Sequence, residues 1–524
     1  MSSGSRPAVE RASRHNAAAD LLGRNIGSAR ASRTYLRTPD RDVTYDEAIA
    51  LAASAGVGLR DVGLDPGDRV VVATRDRIEF VATFWGAMAA GLVPVPVSDG
   101  LSKSDLEFIL RDSRARVAVC DEATSPAVMP AARGAGVMTL FAGEDRAPLP
   151  EGAREWRAVC AANDATWRPV AASPDDVALW LYTSGTTGTP KAAMHRHRAL
   201  RDSPAVLATQ VLSLTEDDVV FSASKMFFAY GLGNSVYLPA AVGATVVVDG
   251  LPAVPARVSE LIEREQPTVV MGVPAFFTGL VNLPDVGLAA SVRALVSAGE
   301  RLSPELFDRA SRAFGRPPLD GLGATEALHH VSSNRIDDAV AGTAGRPLQG
   351  YEVRVRDREG ADVADGKRGE CWVRGPTTFA GYWGQPGMTD RVYDGDWMRT
   401  GDLITLLDGR IVHEGRLDDL MKLGGIWVAP SEIEGFLASK PGVREAAVVA
   451  VDDGDGVPAL AAYVVLDGDG DGDAERRLRR ACRGELAAFK VPRSVRIVPE
   501  LPRTPTGKLQ RHVLRESRSS ELSG

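Results

Sequence analysis

Cysteine is scarce in this chain and never paired in sequence: the four residues at 120, 160, 371 and 482 are widely scattered, with no C-x-x-C motif. That spacing excludes a disulfide framework or a zinc site and fits reduced thiols in a cytoplasmic protein. Excess basic charge is missing too. A formal net charge of -8 argues against general nucleic-acid binding, which needs a positive surface. Residues Met1 to Arg14 have no apolar stretch, so neither a signal peptide nor a membrane anchor is expected. The longest uncharged run, Phe80 to Val97, contains Gly86, Gly91, Pro94 and Pro96. It divides into a buried helix, a glycine stop and a short strand, so it reads as core and not as a membrane span. Asp467 to Asp473 alternates Asp and Gly, but position 12 of an EF-hand counted from Asp467 is Leu478, which leaves a solvated loop.

What the chain does have begins with length. At 524 residues and 44% apolar content it is a globular protein of two or more domains. Its most informative stretch runs from Leu181 to His195. Thr183, Ser184, Thr186, Thr187 and Thr189 supply hydroxyls, Gly185 and Gly188 let backbone N–H groups converge on an anion, and Lys191 adds a positive charge. This is chemistry for a polyphosphate. The usual P-loop spacing, Gly-x-x-x-x-Gly-Lys-Ser/Thr, is absent. The apolar run Val177 to Tyr182 leads into the loop as a strand leads into a binding loop.

Elsewhere helix and strand signals alternate. Thr44-x-x-Glu47 is a capping box opening an Ala-rich helix, and the turn Asp65 to Asp68 feeds a strand at Val70 to Ala73. Ser104-x-x-Glu107 caps a helix ending near Asp112, followed by a strand from Arg116 to Cys120. Strands are expected at Ala244 to Val248, Thr268 to Met271 and Ala294 to Val296. The fold class is α/β with parallel sheets, and Thr183 to Lys191 is expected beyond the carboxyl ends of the strands. After Gly342 a β-rich subdomain follows, with strands at Tyr351 to Arg356, Glu370 to Arg374 and Ile404 to His413 and a turn at Asp408-Gly409. From Ser431 the pattern becomes mixed: Ser431-x-x-Glu434 starts a helix, Glu445 to Val451 and Leu460 to Leu466 are strands, and Glu475 to Ala488 is a charged helix.

The Thr183 to Lys191 loop resembles the phosphate loop of the adenylate-forming superfamily, which includes the acyl-CoA and aryl-CoA synthetases. Four further segments resemble that family's motifs in order: Asp320-Gly-Leu-Gly-Ala-Thr-Glu326, Thr400-Gly-Asp402, Gly415 to Gly425 with Pro430 to Glu434, and Pro502-Arg-Thr-Pro-Thr-Gly-Lys508. The resemblance covers roughly His15 to Arg511. It implies an N-terminal adenylation domain over 15–415, a hinge at 416–418 and a small mobile α+β domain over 419–524. Lys508, Thr325 and Glu326 are then catalytic, with Glu326 helping to hold Mg2+. The implied ATP-binding set is Thr183, Ser184, Gly185, Thr186, Thr187, Gly188, Lys191, Gly299, Glu300, Asp320, Gly321, Leu322, Asp402 and Arg416. Asp418 is the hinge residue, and Gly424 and Gly425 approach the tunnel of the thiol acceptor.

Lys225 to Asn234, Ala327 to His330 and Asn16 to Asn25 resemble the corresponding stretches of benzoate-CoA ligases. On that basis Phe228, Ala229, Tyr230, Gly323 and His329 line an aryl-carboxylate pocket, while His330 either adds a polar wall for a ring substituent or packs inward. The implied partners are an aryl acid, ATP and coenzyme A, with no nucleic acid and no membrane. A carrier-protein pantetheine, or a non-thiol acceptor, is the alternative to coenzyme A; a nucleotide-binding homologue without catalysis is a third reading. A homodimer is left open.

Overall fold

The computed structural model describes residues 15–144, 147–161, 165–184, 190–284, 289–419, 421–423, 426–452, 458–468, 473–503, 509–511 and 513–515. Gly185, Thr186, Thr187, Gly188, Gly424, Gly425 and Lys508 lie outside them, as do the side chains of Ser184 and Asp418. The chain forms two compact units: Met1–Pro252 with Thr325–His329 and Pro376–Thr389, and Ala253–Ala324 with His330–Gly375 and Asp390–Gly524.

In the first unit a parallel sheet runs in the order Val93–Pro96, Arg69–Ala73, Ala115–Cys120, Met138–Phe141, Arg154–Glu155. Helices Lys103–Asp112 and Ser125–Ala135 bury Leu106, Ile109, Leu110, Val128 and Ala132 against it. Thr44 and Glu47 form the expected capping box, each side chain bonding the other's backbone N–H, and helix Tyr45–Asp61 follows. The next cap lies two residues earlier than expected. Ser102, not Ser104, accepts from the N–H of Asp105 and opens the helix at Lys103, giving a partner to one of the N–H groups that the first turn leaves free. Helix Ile78–Ala89, Gly91 in the left-handed region and strand Val93–Pro96 divide the apolar run as its punctuation implies. Among the described residues no helix is long and apolar enough to cross a membrane.

A second set of strands in this unit, Val219–Ser222, Thr245–Val247 and Thr34–Arg37, is also parallel, with Asp42–Thr44 antiparallel at its edge. The strand before the phosphate loop belongs to neither parallel set. Val177–Ser184 pairs antiparallel with Pro190–Arg196, which pairs in turn with Gly381–Tyr382. Placement at the carboxyl end of a parallel strand is therefore corrected: the five residues 185–189 are too few for a crossover, and a short connection between adjacent strands makes a hairpin.

In the second unit Val269–Gly272, Ala294–Ser297 and Pro318–Asp320 are parallel neighbours. The β-rich part follows as an antiparallel sheet of Glu352–Arg356, Arg368–Arg374, Trp397–Leu407, Tyr393–Asp394 and Arg410–Arg416. Asp408 and Gly409 both have positive φ, 50° and 72°, which the tight hairpin between the last two long strands requires. From Met421 the chain builds its own core. Strands Val443–Asp452, Pro458–Leu466 and Ser494–Ile497 put Val448, Leu460 and Val464 against helices Pro430–Ala438 and Ala474–Glu485, and Val449, Ala461 and Tyr463 against Leu501 and Leu514. Two ends differ from expectation. Ser431 is not the cap of its helix; Pro430 occupies the first turn and the Ser431 hydroxyl donates to the carbonyl of Glu414. The charged helix stops at Glu485, and Ala488–Lys490 is a separate 3-10 turn.

Candidate active site

The hairpin register sets Thr183 directly opposite Lys191 at the root of the phosphate loop. The third strand, Gly381–Tyr382, brings Tyr382 beside them, with the Lys191 Nζ 5.9 Å from the centre of its ring. The Tyr382 hydroxyl donates to the Glu326 carboxylate at 2.6 Å. Thr325–Ala327 is a 3-10 turn held by two further bonds, from the Phe379 N–H to the Glu326 carbonyl at 2.8 Å and from the Thr377 hydroxyl to the Ala327 carbonyl at 2.5 Å. Below the turn lies His195, fully buried; burial pushes its imidazole down to about 3, against the opposing pull of the Thr325 backbone. A neutral ring thus supports a half-buried corner lined by Thr183, Lys191, Thr325 and Glu326.

Phe228, Ala229, Tyr230 and His329, expected to line an aryl pocket, all belong to this unit. Met226 and Phe227 are core, whereas Phe228, Ala229 and Tyr230 are half-buried. Their segment is pinned from behind: Lys225 donates to the carbonyls of Asp249 and Leu251 at 2.6 Å, and the Met226 N–H donates to Asp76 at 2.9 Å. Burial pushes the Asp76 carboxyl up to about 6, with Lys225 opposing. His329 is buried 5.4 Å from the Tyr230 ring centre, and its Nε2 lies 3.1 Å from Asn234 Oδ1. The Asn234 amide nitrogen donates onward to Ser222, so Nε2 carries the proton of that imidazole. A Cβ on Gly233 would come within 2.2 Å of the His329 ring, so only glycine admits the histidine here.

In the second unit Ser297 and Asp320 end adjacent parallel strands in register, and the loops that leave them carry Gly299, Glu300, Gly321 and Leu322. This is where an α/β sheet places a ligand. Gly323 pairs with His330 across the following turn. His330 is buried against Gly321, whose added Cβ would lie 2.2 Å from the ring, and burial pushes its imidazole down to about 4. Of the two uses left open for His330, inward packing is the one observed.

Asp320 is buried, which pushes its carboxyl up to about 8 against the opposing pull of Ser297, of the backbone at Leu302 and Gly321, and of Arg301. A carboxyl raised above its unfolded value of about 3.9 binds its proton more tightly when folded. Its contribution to stability is complete below that value and is lost as the pH rises through about 8. Asp320→Asn should therefore gain on the wild type in melting temperature as pH rises from acidic to mildly alkaline. Parallel melting curves across that range would refute this.

Asp402, almost fully buried, accepts on Oδ1 from Arg416 Nη1 at 3.1 Å and His413 Nε2 at 3.2 Å. Burial raises its carboxyl, but Arg416, His413 and Thr400 outweigh burial and hold it well below the usual carboxylate range. The hairpin carrying it is tied to the strand of Asp320: Asn334 donates to the carbonyls of Asp320 and Thr343, and Ala344 donates to the carbonyl of Ile411. Arg503, five residues before Lys508, lies 2.9 Å from Glu445 and 3.7 Å from Glu300. Tyr382, Asn234, Gly233, His413 and Arg503 are the participants that motif reading did not single out.

Residues 25–383 match the AMP-binding enzyme family, and residues 432–508 match the AMP-binding enzyme C-terminal domain. The chain belongs to this family of adenylate-forming enzymes. It is 39% identical over 520 residues to the benzoate–CoA ligase of Thauera aromatica, covering 98% of both chains. Among solved structures it resembles the anthranilate CoA ligase AuaEII in complex with anthranoyl-AMP (32% identity, TM-score 0.92, 98% of each chain). It also resembles a benzoate CoA ligase from Burkholderia xenovorans LB400 (34% identity, TM-score 0.88, 96% of this chain and 100% of that one).

Proposed function

We propose that the protein is an AMP-forming acid-thiol ligase that joins a benzoate-like acid, bare or carrying a small hydroxyl or amino group, to coenzyme A. In the first half-reaction a carboxylate oxygen attacks the α-phosphorus of ATP and pyrophosphate leaves. In the second the thiolate of coenzyme A attacks the carbonyl, the C–S bond forms, and AMP leaves. The observation that carries the reading is the half-buried wall of Phe228, Ala229 and Tyr230 beside an oriented, buried His329, in a chain similar along its whole length to benzoate–CoA ligase. A flat apolar wall with one polar group at its edge suits an aromatic ring.

The remaining roles are those the motifs imply. Thr183, Lys191 and residues 184–188 hold the phosphates; the backbone of Asp320 to Leu322 lies along the adenine; the Asp402 carboxylate accepts from both ribose hydroxyls; Arg416, Gly299 and Glu300 contact the nucleotide. Thr325 contacts the α-phosphate. Lys508 stabilises the charge that builds as two anions meet, and the domain from 419 turns about Asp418 so that Gly424 and Gly425 meet the thiol. Glu326 suits a magnesium ion that arrives with ATP, because Mg2+ is bound through one or two carboxylates plus substrate phosphates. When bound, the ion neutralises phosphate charge.

Pyrophosphate exchange over a panel of aryl and alkyl acids, followed by thioester detection with and without coenzyme A, tests the whole. Exchange with no acid, or transfer only to a carrier protein, would overturn it. Ala229→Phe should cut aryl-acid turnover roughly 10- to 100-fold, the scale of overpacking a filled site, with ATP binding retained. Unchanged turnover removes Ala229 from the pocket.

A further inference from the structure

We infer that Tyr382 is a positioning residue for the metal and phosphate end of the site, aiming Glu326 with its hydroxyl and seating Lys191 on its ring. This rests on the proposed role of Glu326 in holding magnesium. A glutamate has three side-chain torsions, and an unrestrained one must lose that freedom when it binds an ion. Here the loss has already occurred. The Tyr382 phenol donates to Oε1 at 2.6 Å, and a carboxylate bonded through one oxygen keeps lone pairs for a cation.

Tyr382 can aim because it is itself fixed. Its backbone pairs with Ala193, its N–H donates to the Thr389 hydroxyl at 2.9 Å, and its ring packs edge-on against Phe379, 4.8 Å between centres at 70°. Only 9% of the residue is exposed. Its other function uses the face of the ring, over which the Lys191 ammonium sits 5.9 Å from the centre, an electrostatic attraction between the cation and the ring's negative face. One uncharged side chain therefore touches an anion and a cation that both serve the triphosphate.

The hydroxyl and the ring can be separated by substitution. Mn2+ binding, read by electron paramagnetic resonance in the presence of a non-hydrolysable ATP analogue, should weaken about tenfold in Tyr382→Phe, the scale of losing a partner that orients a metal ligand. Metal-free binding of the analogue should stay at the wild-type level in that variant and weaken in Tyr382→Leu, which also removes the platform for Lys191. The KM for Mg2+ should rise in Tyr382→Phe while the KM for the aryl acid holds. A purely structural tyrosine would instead lower the melting temperature and raise every KM together, and that result overturns the inference. Wild-type Mn2+ affinity in Tyr382→Phe alongside weakened affinity in Glu326→Gln overturns the aiming role alone. Wild-type affinity in Glu326→Gln overturns the role of Glu326 and this inference with it.

Discussion

Replacing Lys508 by alanine lowers adenylate formation roughly 10²- to 10³-fold, the usual loss for one preorganised stabiliser of transition-state charge. A carboxylate approaching an α-phosphate is repelled before bond formation and builds further negative charge during it. A cation between them therefore helps the transition state more than either reactant. The second half-reaction has no such charge build-up at phosphorus, so transfer from a supplied acyl-adenylate should be far less affected. The check is a pair of measurements on one variant: acid-dependent pyrophosphate exchange for the first step, and thioester formation from synthetic aryl-adenylate and coenzyme A for the second. Equal loss in both would assign Lys508 to fold or general binding.

Much of the architecture was legible because local chemistry and fold agree. Thr44 and Glu47 make the capping box their spacing promises, and Asp408-Gly409 adopts the backbone that its hairpin demands. Five ordered motifs identify the family, and the family matches cover both parts of the chain. What escaped was set by pairing across the sequence. The strand Val177–Ser184 carries no mark that its neighbour is antiparallel; only the shortness of 185–189 hints at it. His413 was missed because two-residue alternation places 413 and 416 on opposite faces. The register shift between Leu403 and Ile404, at Glu414 and Gly415, brings both onto Asp402. Tyr382 lies 56 residues from Glu326, and nothing in Gly381-Tyr382-Trp383 marks the phenol as a partner for a carboxylate. Asn234 sits within a stretch read for its aromatic residues, and its bond to His329 spans 95 positions.

The same shifted register makes Asp402→Asn the other substitution with a large expected effect. The carboxylate is almost fully buried and faces two donors, Arg416 and His413, on one oxygen. An amide in its place keeps the shape but loses the charge that Arg416 answers. If Asp402 accepts the two ribose hydroxyls as proposed, two charge-assisted bonds weaken together, each worth about 1.5–3 kcal/mol. The combined loss of about 3 kcal/mol corresponds to a rise of roughly 10²-fold in the ATP dissociation constant. Ribose stays bound through both half-reactions, so Asp402→Asn should impair adenylation and thioester formation alike, unlike Lys508→Ala. Isothermal titration with ATP and with AMP should show the same factor for both nucleotides, because the ribose is common to them. A lowered melting temperature with unchanged nucleotide affinity would make Asp402 a hub for Arg416 and His413 that the ribose never touches.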